Sequence, residues 1–516
     1  MKKFRALATV ASVAIILGTM SGCGNEKCDY GSKSGSGYYP SYNQAQGNYP
    51  KMNTEEYNTI KENPFLSAKA SPLSTFSADV DTASYSNVRR MINQDINVVP
   101  DAVRIEEMIN YFNYDYKQPQ GTDPFSVTTE IADCPWNSES KLLSIGIKAK
   151  DMDYSKMPKS NIVFLIDVSG SMGQSNKLPL LIQSFSMLVE NMNDDDVVSI
   201  VTYAGADTIA LQGAKGNDKK KIISTLEELT AGGSTNGASG INTAYNLAEK
   251  YFIKGGNNRV ILATDGDLNV GVTSESELKN LIEKKKKSGV YLSVLGFGMG
   301  NYKDNKMETM ADNGNGNYAY IDTLLEAKKV LVEEMGGTLF TVAKDVKFQV
   351  EFNPAIVKGY RLIGYENRLL NTQDFNDDTK DAGEIGAGHR VTVLYEVVMT
   401  DSKMNIPETN LKYQDKAATT IKSNEWLTVN IRYKEPDKDE SKLLSYPVDG
   451  KSYTKTPSEN IRFVSSVAQF GMLLRSSEYK GTATYDSIID TLEKLDCVKK
   501  DQYKSEFRDL VKKVSQ

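Results

Sequence analysis

Residues 164–173 read FLIDVSGSMG, an apolar run that ends in Asp167, Ser169 and Ser171. In an extended chain alternate side chains share a side, so one carboxylate and two hydroxyls spaced in this way can converge on a single point. Gly170 and Gly173 let the chain turn tightly there. A second acid, Asp265, ends the run Leu262-Ala263-Thr264 and precedes Gly266, and a glycine-rich loop from Gly232 to Gly237 carries Ser234 and Thr235. Asp167, Ser169, Ser171, Thr235 and Asp265 offer only oxygen, with neither nitrogen nor sulfur. Such a set suits a hard divalent cation: Mg2+ first, with Mn2+ or Ca2+ as alternatives.

The elements that must position these residues follow from the pattern around them. Apolar runs at Ile162–Ile166, Val197–Tyr203, Arg259–Thr264, Val290–Phe297 and Tyr318–Ile321 alternate with amphipathic stretches at Leu178–Met192, Lys219–Leu229, Ser239–Phe252, Ser274–Lys287 and Leu324–Met335. Strand alternating with helix over this length implies a doubly wound, mostly parallel α/β sheet covered on both faces. In that architecture ligands bind beyond the carboxyl ends of the strands, where the strand order reverses. Asp167 and Asp265 each stand at such an end.

The DxSxS turn, the GGST loop and the later TDG, in this order and context, strongly resemble the metal-ion-dependent adhesion site of von Willebrand factor type A domains. The likeness runs from about Lys159 to Gly337. It implies a Rossmann-like fold in which Ser169, Ser171 and Thr235 ligate the metal directly, while Asp167 and Asp265 act as outer or inner partners. Ser234 is a neighbouring hydroxyl beside Thr235. A cation held mostly by neutral hydroxyls keeps its positive charge and one position for a partner's carboxylate. The implied role is protein binding.

Catalytic readings lack their parts. His389 is the only histidine and lies far in sequence from any nucleophile, so Ser-His-acid and Cys-His chemistry have one base between them. Asp167 and Ser171 stand where a GxSxG elbow requires glycine. Gly296-Phe297-Gly298-Met299-Gly300 lacks the last glycine of a dinucleotide fingerprint and reads as a strand-end turn. The chain is expected not to be an enzyme.

Lys2, Lys3 and Arg5 precede the apolar stretch Ala6–Leu17, which has the form of a secretory signal. The sequence Gly18-Thr19-Met20-Ser21-Gly22-Cys23 resembles a lipobox with Met20 in place of leucine, implying lipidation at Cys23 and an exported, lipid-anchored protein facing outside the cytoplasm. The following Gly/Ser/Asn/Tyr-rich tract cannot bury enough surface to fold, and as a coil it reaches roughly 35–40 Å. Cys134 and Cys497 are the only cysteines in folded sequence. Nothing requires them to pair.

A net charge of −6 over 516 residues, with the basic run Lys284–Lys287 read as a solvated helix end, argues against nucleic acid as a partner. The expected order is a lipoprotein signal peptide (1–22), a flexible stalk (23–72), an N-terminal α+β unit (73–157), the type A domain (158–340), a β-rich unit (341–440) and a helical region (441–516). The two flanks are read as an α+β or β-sandwich setting into which the type A domain is inserted. Asp79 and Asp81 are read as caps for the next helix, and the acidic loop at 374–384 as a surface turn. The expected function is cation-dependent binding of an extracellular or envelope protein that offers an acidic side chain, with membrane contact through the N-terminal lipid only. The competing reading is an envelope scaffold whose metal only stabilises the fold, and a metal-dependent hydrolase is the weaker third.

Overall fold

Six strands build the sheet that carries the candidate site. In a computed structural model that describes residues 55–78, 81–151, 158–233, 237–266, 275–300, 302–334, 340–380, 382–407, 423–436 and 438–516, they run in the order Tyr318–Ile321, Tyr291–Phe297, Asn257–Thr264, Ser160–Asp167, Val197–Tyr203, Asp207–Lys215. The first five are parallel, and Asp207–Lys215 folds back antiparallel against Val197–Tyr203. Every residue of Ser160–Asp167 is buried. Ile162, Phe164 and Ile166 face one core, with Phe164 stacked 4.2 Å from Phe185, while Val163 and Leu165 face another with Ile241 and Tyr245. This two-sided burial is why the strand reads as a continuous apolar run. From Ser160–Asp167 the chain moves to one side of the sheet and returns to the other at Asn257–Thr264. The order therefore reverses between the two strands that end in Asp167 and Asp265.

The Asp207–Lys215 strand is absent from the sequence reading. It is half-exposed at the sheet edge and follows its partner by a hairpin, so it shows neither a buried run nor a preceding helix.

The flanking strands do not form separate units before and after the type A domain. One antiparallel sheet joins Leu66–Ser67, Val357–Ile363, Arg390–Met399, Lys141–Ala149 and Phe125–Asp133, with Val391 opposite Ile147. A second joins Gly383–Gly386, Thr341–Phe352, Glu425–Lys434 and Ser441–Asp449, with Leu73–Ser77 also paired to Thr341–Phe352. Ile145, Ile147, Phe348, Val350 and Val393 fill the core between them, and Phe352 stacks on Tyr360 at 3.9 Å. Ser441–Asp449 is thus a sandwich strand at the start of the region expected to be helical.

The helices of both flanks share a core of their own. Ala83–Asn93, Ile105–Asn110, Glu459–Leu474, Tyr485–Leu492 and Gln502–Val514 bring Tyr85, Phe112, Phe463, Phe470 and Phe507 together, with Phe112 5.0 Å from Phe463 and 5.4 Å from Phe507. Cys134 and Cys497 remain free thiols. Among the described residues no helix is long and apolar enough to cross a membrane.

Buried ion pairs lock this helical layer to the type A domain. Arg89, fully buried, bonds Asp322 at 2.8 Å, Glu326 at 2.7 Å, Glu506 at 2.9 Å and the Tyr111 hydroxyl at 2.9 Å. Asp81 is not the expected helix cap. Its carboxylate accepts the Tyr318 N–H at 2.9 Å on the edge strand and meets Arg368 at 3.2 Å, while the cap position falls to Thr82, whose side chain makes no capping bond. Asp79 lies outside the described residues. Removing one member of such a cluster strands its partners in low dielectric. Arg89→Met is expected to cost about 3–5 kcal/mol in denaturant unfolding, and a loss below about 1 kcal/mol would contradict the role given to this cluster.

Candidate metal centre

Asp167 is the last residue of its strand and has no exposed surface. Its Oδ1 accepts the Ser169 N–H at 2.8 Å and its Oδ2 accepts the Thr264 hydroxyl at 3.2 Å. Thr264 in turn accepts the Gly266 N–H at 3.1 Å, so one hydroxyl ties together the ends of the two strands at the reversal point. Burial pushes the Asp167 carboxyl up to about 6; the Ser169 amide and hydroxyl oppose the shift, and the nearby Asp265 charge adds to it.

Beyond Ser169 the chain enters a short 3-10 turn, Gly170–Gly173, in place of the fully extended path expected from the alternation. Met172 is driven into the core and Ser171 is left exposed. The hydroxyl oxygens of Ser169 and Ser171 stand 3.0 Å apart. The glycine loop lies against this turn: the Gly232 N–H bonds the Val168 carbonyl at 2.8 Å, and the Gly170 N–H bonds the Gly233 carbonyl at 3.1 Å. Gly233, at φ +86°, adopts a backbone conformation that favours glycine. Thr235 and Ser234 fall outside the described residues, two and one positions beyond Gly233.

The donors fit a small hard cation. Ligands about 2.0–2.1 Å from Mg2+ in octahedral array are about 2.9 Å from their neighbours, close to the 3.0 Å between the two serine oxygens, a distance that a hydroxyl–hydroxyl hydrogen bond also gives. Among the described residues no group of three or more His, Cys, Asp or Glu is placed to hold a metal.

Asp265 follows its strand directly, has no exposed side-chain surface, and receives the ammonium of Lys177 at 2.7 Å. Lys177 is the residue that sequence reasoning missed. It stands at the N-cap of Leu178–Glu190 with its side chain 3% exposed. A lysine at a helix N-terminus opposes the helix dipole, and that misfit was the available signal that it answers to an acid. Its stem runs past Gly298, at φ +79°, where an added Cβ would come within 2.3 Å of the lysine Cε. The strand-end glycine at 298 therefore makes room for the lysine.

The other flagged residues lie elsewhere. His389 stands at the start of a sandwich strand, its carbonyl accepting the Ala149 N–H at 2.9 Å. In the acidic loop Asp377 accepts the Thr379 N–H at 2.9 Å and Asp378 pairs with Arg432 at 3.0 Å, so the two acids engage separate partners. The expected stalk (23–72) does not run as far as residue 72: Glu55 accepts the Gly300 N–H at 2.9 Å at the carboxyl end of the sheet, Asn63 donates to the Gly364 carbonyl at 2.8 Å, and Leu66–Ser67 is a sheet strand, because these residues find partners on the body.

Sequence comparison agrees with this fold. Residues 161–334 match the von Willebrand factor type A domain, residues 51–144 match a family described as von Willebrand factor, and residues 337–516 match the C-terminal family of the uncharacterized protein YfbK. The chain thus contains a type A domain in its central sheet. It is 44% identical over 465 residues to the uncharacterized protein YfbK of Escherichia coli (strain K12), across 89% of this chain and 80% of that one, and it belongs to the YfbK family. Among solved structures, a von Willebrand factor type A protein from Catenulispora acidiphila is 12% identical over 69% of this chain and 80% of its own, with TM-score 0.39. The conserved hypothetical protein BatB from Bacteroides thetaiotaomicron is 19% identical over 34% of this chain and 97% of its own, with TM-score 0.30.

The Thr264 bridge is testable without any ligand. Thr264→Val keeps the side-chain shape and removes both hydrogen bonds, and is expected to lower unfolding stability by about 1–3 kcal/mol. An unchanged denaturation midpoint would remove Thr264 from the support of Asp167.

Proposed function

We propose that this protein is a lipid-anchored envelope protein that captures an acidic side chain of a protein partner through a divalent cation, Mg2+ first, held by its type A domain. The observation that carries the reading is the pair of serine oxygens 3.0 Å apart at the sheet's reversal point, with two buried carboxylates beside them. Type A domains serve interaction or adhesion in general, and the all-oxygen donor set extends that role to a metal-bridged contact. Ser169, Ser171 and Thr235 would hold the cation, and Asp167 and Asp265 would fix its surroundings. The cation supplies an electrophilic position for a carboxylate. Asp167 orients Ser169 through its amide, and Met172 anchors the turn so that Ser171 faces solvent.

Binding is favoured over catalysis because the donors of the serine turn are all oxygen and the single histidine stands at the start of a sandwich strand. Anchoring through Cys23 rests on the lipobox likeness alone.

Saturating Mg2+ is expected to raise the melting temperature by about 5 °C and EDTA to reverse the gain. Immobilised protein is expected to retain envelope proteins in Mg2+ and release them in EDTA, and Asp167→Ala to retain none. Capture that persists in EDTA would favour the scaffold reading, in which a metal serves the fold alone.

A further inference from the structure

Lys177 is a buried cation placed inside a site built for cations. Its ammonium lies 2.7 Å from Asp265 with both side chains almost without exposed surface. Three costs accompany it: desolvation of the charge, opposition from the helix N-terminus, and a glycine demanded at position 298. A lysine that served packing alone would be replaced by an apolar side chain at lower cost. Asp265 is what holds it there.

We propose that Lys177 sets the charge of the cation site and thereby its preference for an anionic partner; this rests on the metal-binding reading above. Asp167 and Asp265 would together present two negative charges, enough to neutralise a divalent cation fully. With Lys177 bound to Asp265 the site presents one. A divalent cation then retains a net positive charge, which a carboxylate from the partner brings to neutrality. The lysine trades metal affinity for ligand selectivity. The pair is buried and screened little by water, so removing the lysine charge is large enough in effect to measure.

The test uses the full chain and Lys177→Met, which keeps most of the stem and removes the charge. Mg2+ alone is titrated by calorimetry, and acetate is titrated onto Mn2+-loaded protein by the relaxation of metal-bound water. Lys177→Met is expected to bind Mg2+ about ten-fold or more tightly and acetate about five-fold or more weakly. These opposite shifts are what a merely structural lysine would not produce. Unchanged or weaker Mg2+ binding, or unchanged acetate binding, overturns the proposal. If the variant folds only when Mg2+ is present, the cation has taken over the compensation of Asp265 and the proposal stands; if it stays unfolded in saturating Mg2+, the lysine is structural and the proposal falls. Wild-type protein that binds no divalent cation would defeat the metal reading itself, a result distinct from wild-type binding that Lys177→Met leaves unimproved.

Discussion

Two carboxylates buried at the ends of adjacent strands repel each other, and the architecture around them manages that repulsion. Asp167 and Asp265 have no exposed surface and flank the point where strand order reverses. Neither is free to turn toward water. Asp167 is quieted by an amide and a hydroxyl, and Asp265 by the ammonium of Lys177. The remaining negative charge faces two serine oxygens set at the spacing of a small cation's coordination shell. Burial makes the carboxylates costly, and under the proposed reading a cation beside them would offset part of that cost.

The rest of the chain wraps the domain that carries this crevice. The segments before and after the type A domain interleave in one sandwich and share one helical core, so the central domain is clasped by its own flanks. Arg89, Arg104 and Arg368 reach from the flanks to acids on the type A domain: Arg89 to Asp322 and Glu326, Arg104 to Asp304 at 2.6 Å, and Arg368 to Glu308 and Asp312. These contacts gather at the Tyr318–Ile321 edge of the sheet and the helices beside it. The opposite edge, Asp207–Lys215, stays half-exposed. The domain is therefore braced on one side and open on the other, with the candidate site at the strand ends between.

The type A fold was legible because its strands are buried on both faces and its helices are amphipathic, so each leaves a long local pattern. The site was legible in part for the same reason: Asp167, Ser169 and Ser171 are close in sequence, and the structure brings two of the three oxygens to 3.0 Å. Long-range pairing left no such trace. The partnership of Leu73–Ser77 with Thr341–Phe352 spans the entire central domain, and Asp81 bonding Tyr318 crosses 237 positions. Lys177 was missed because a lysine before an apolar helix reads as a solvated end unless the burial of its neighbours is known.

The central claim is a divalent cation on the serine turn. Anomalous diffraction from crystals of the full chain soaked in Mn2+ tests it most directly. The account predicts one strong peak at bonding distance, about 2.0–2.6 Å, from the Oγ atoms of both Ser169 and Ser171. A cation that binds elsewhere on the chain, or a serine turn that carries no peak under saturating Mn2+, would contradict it.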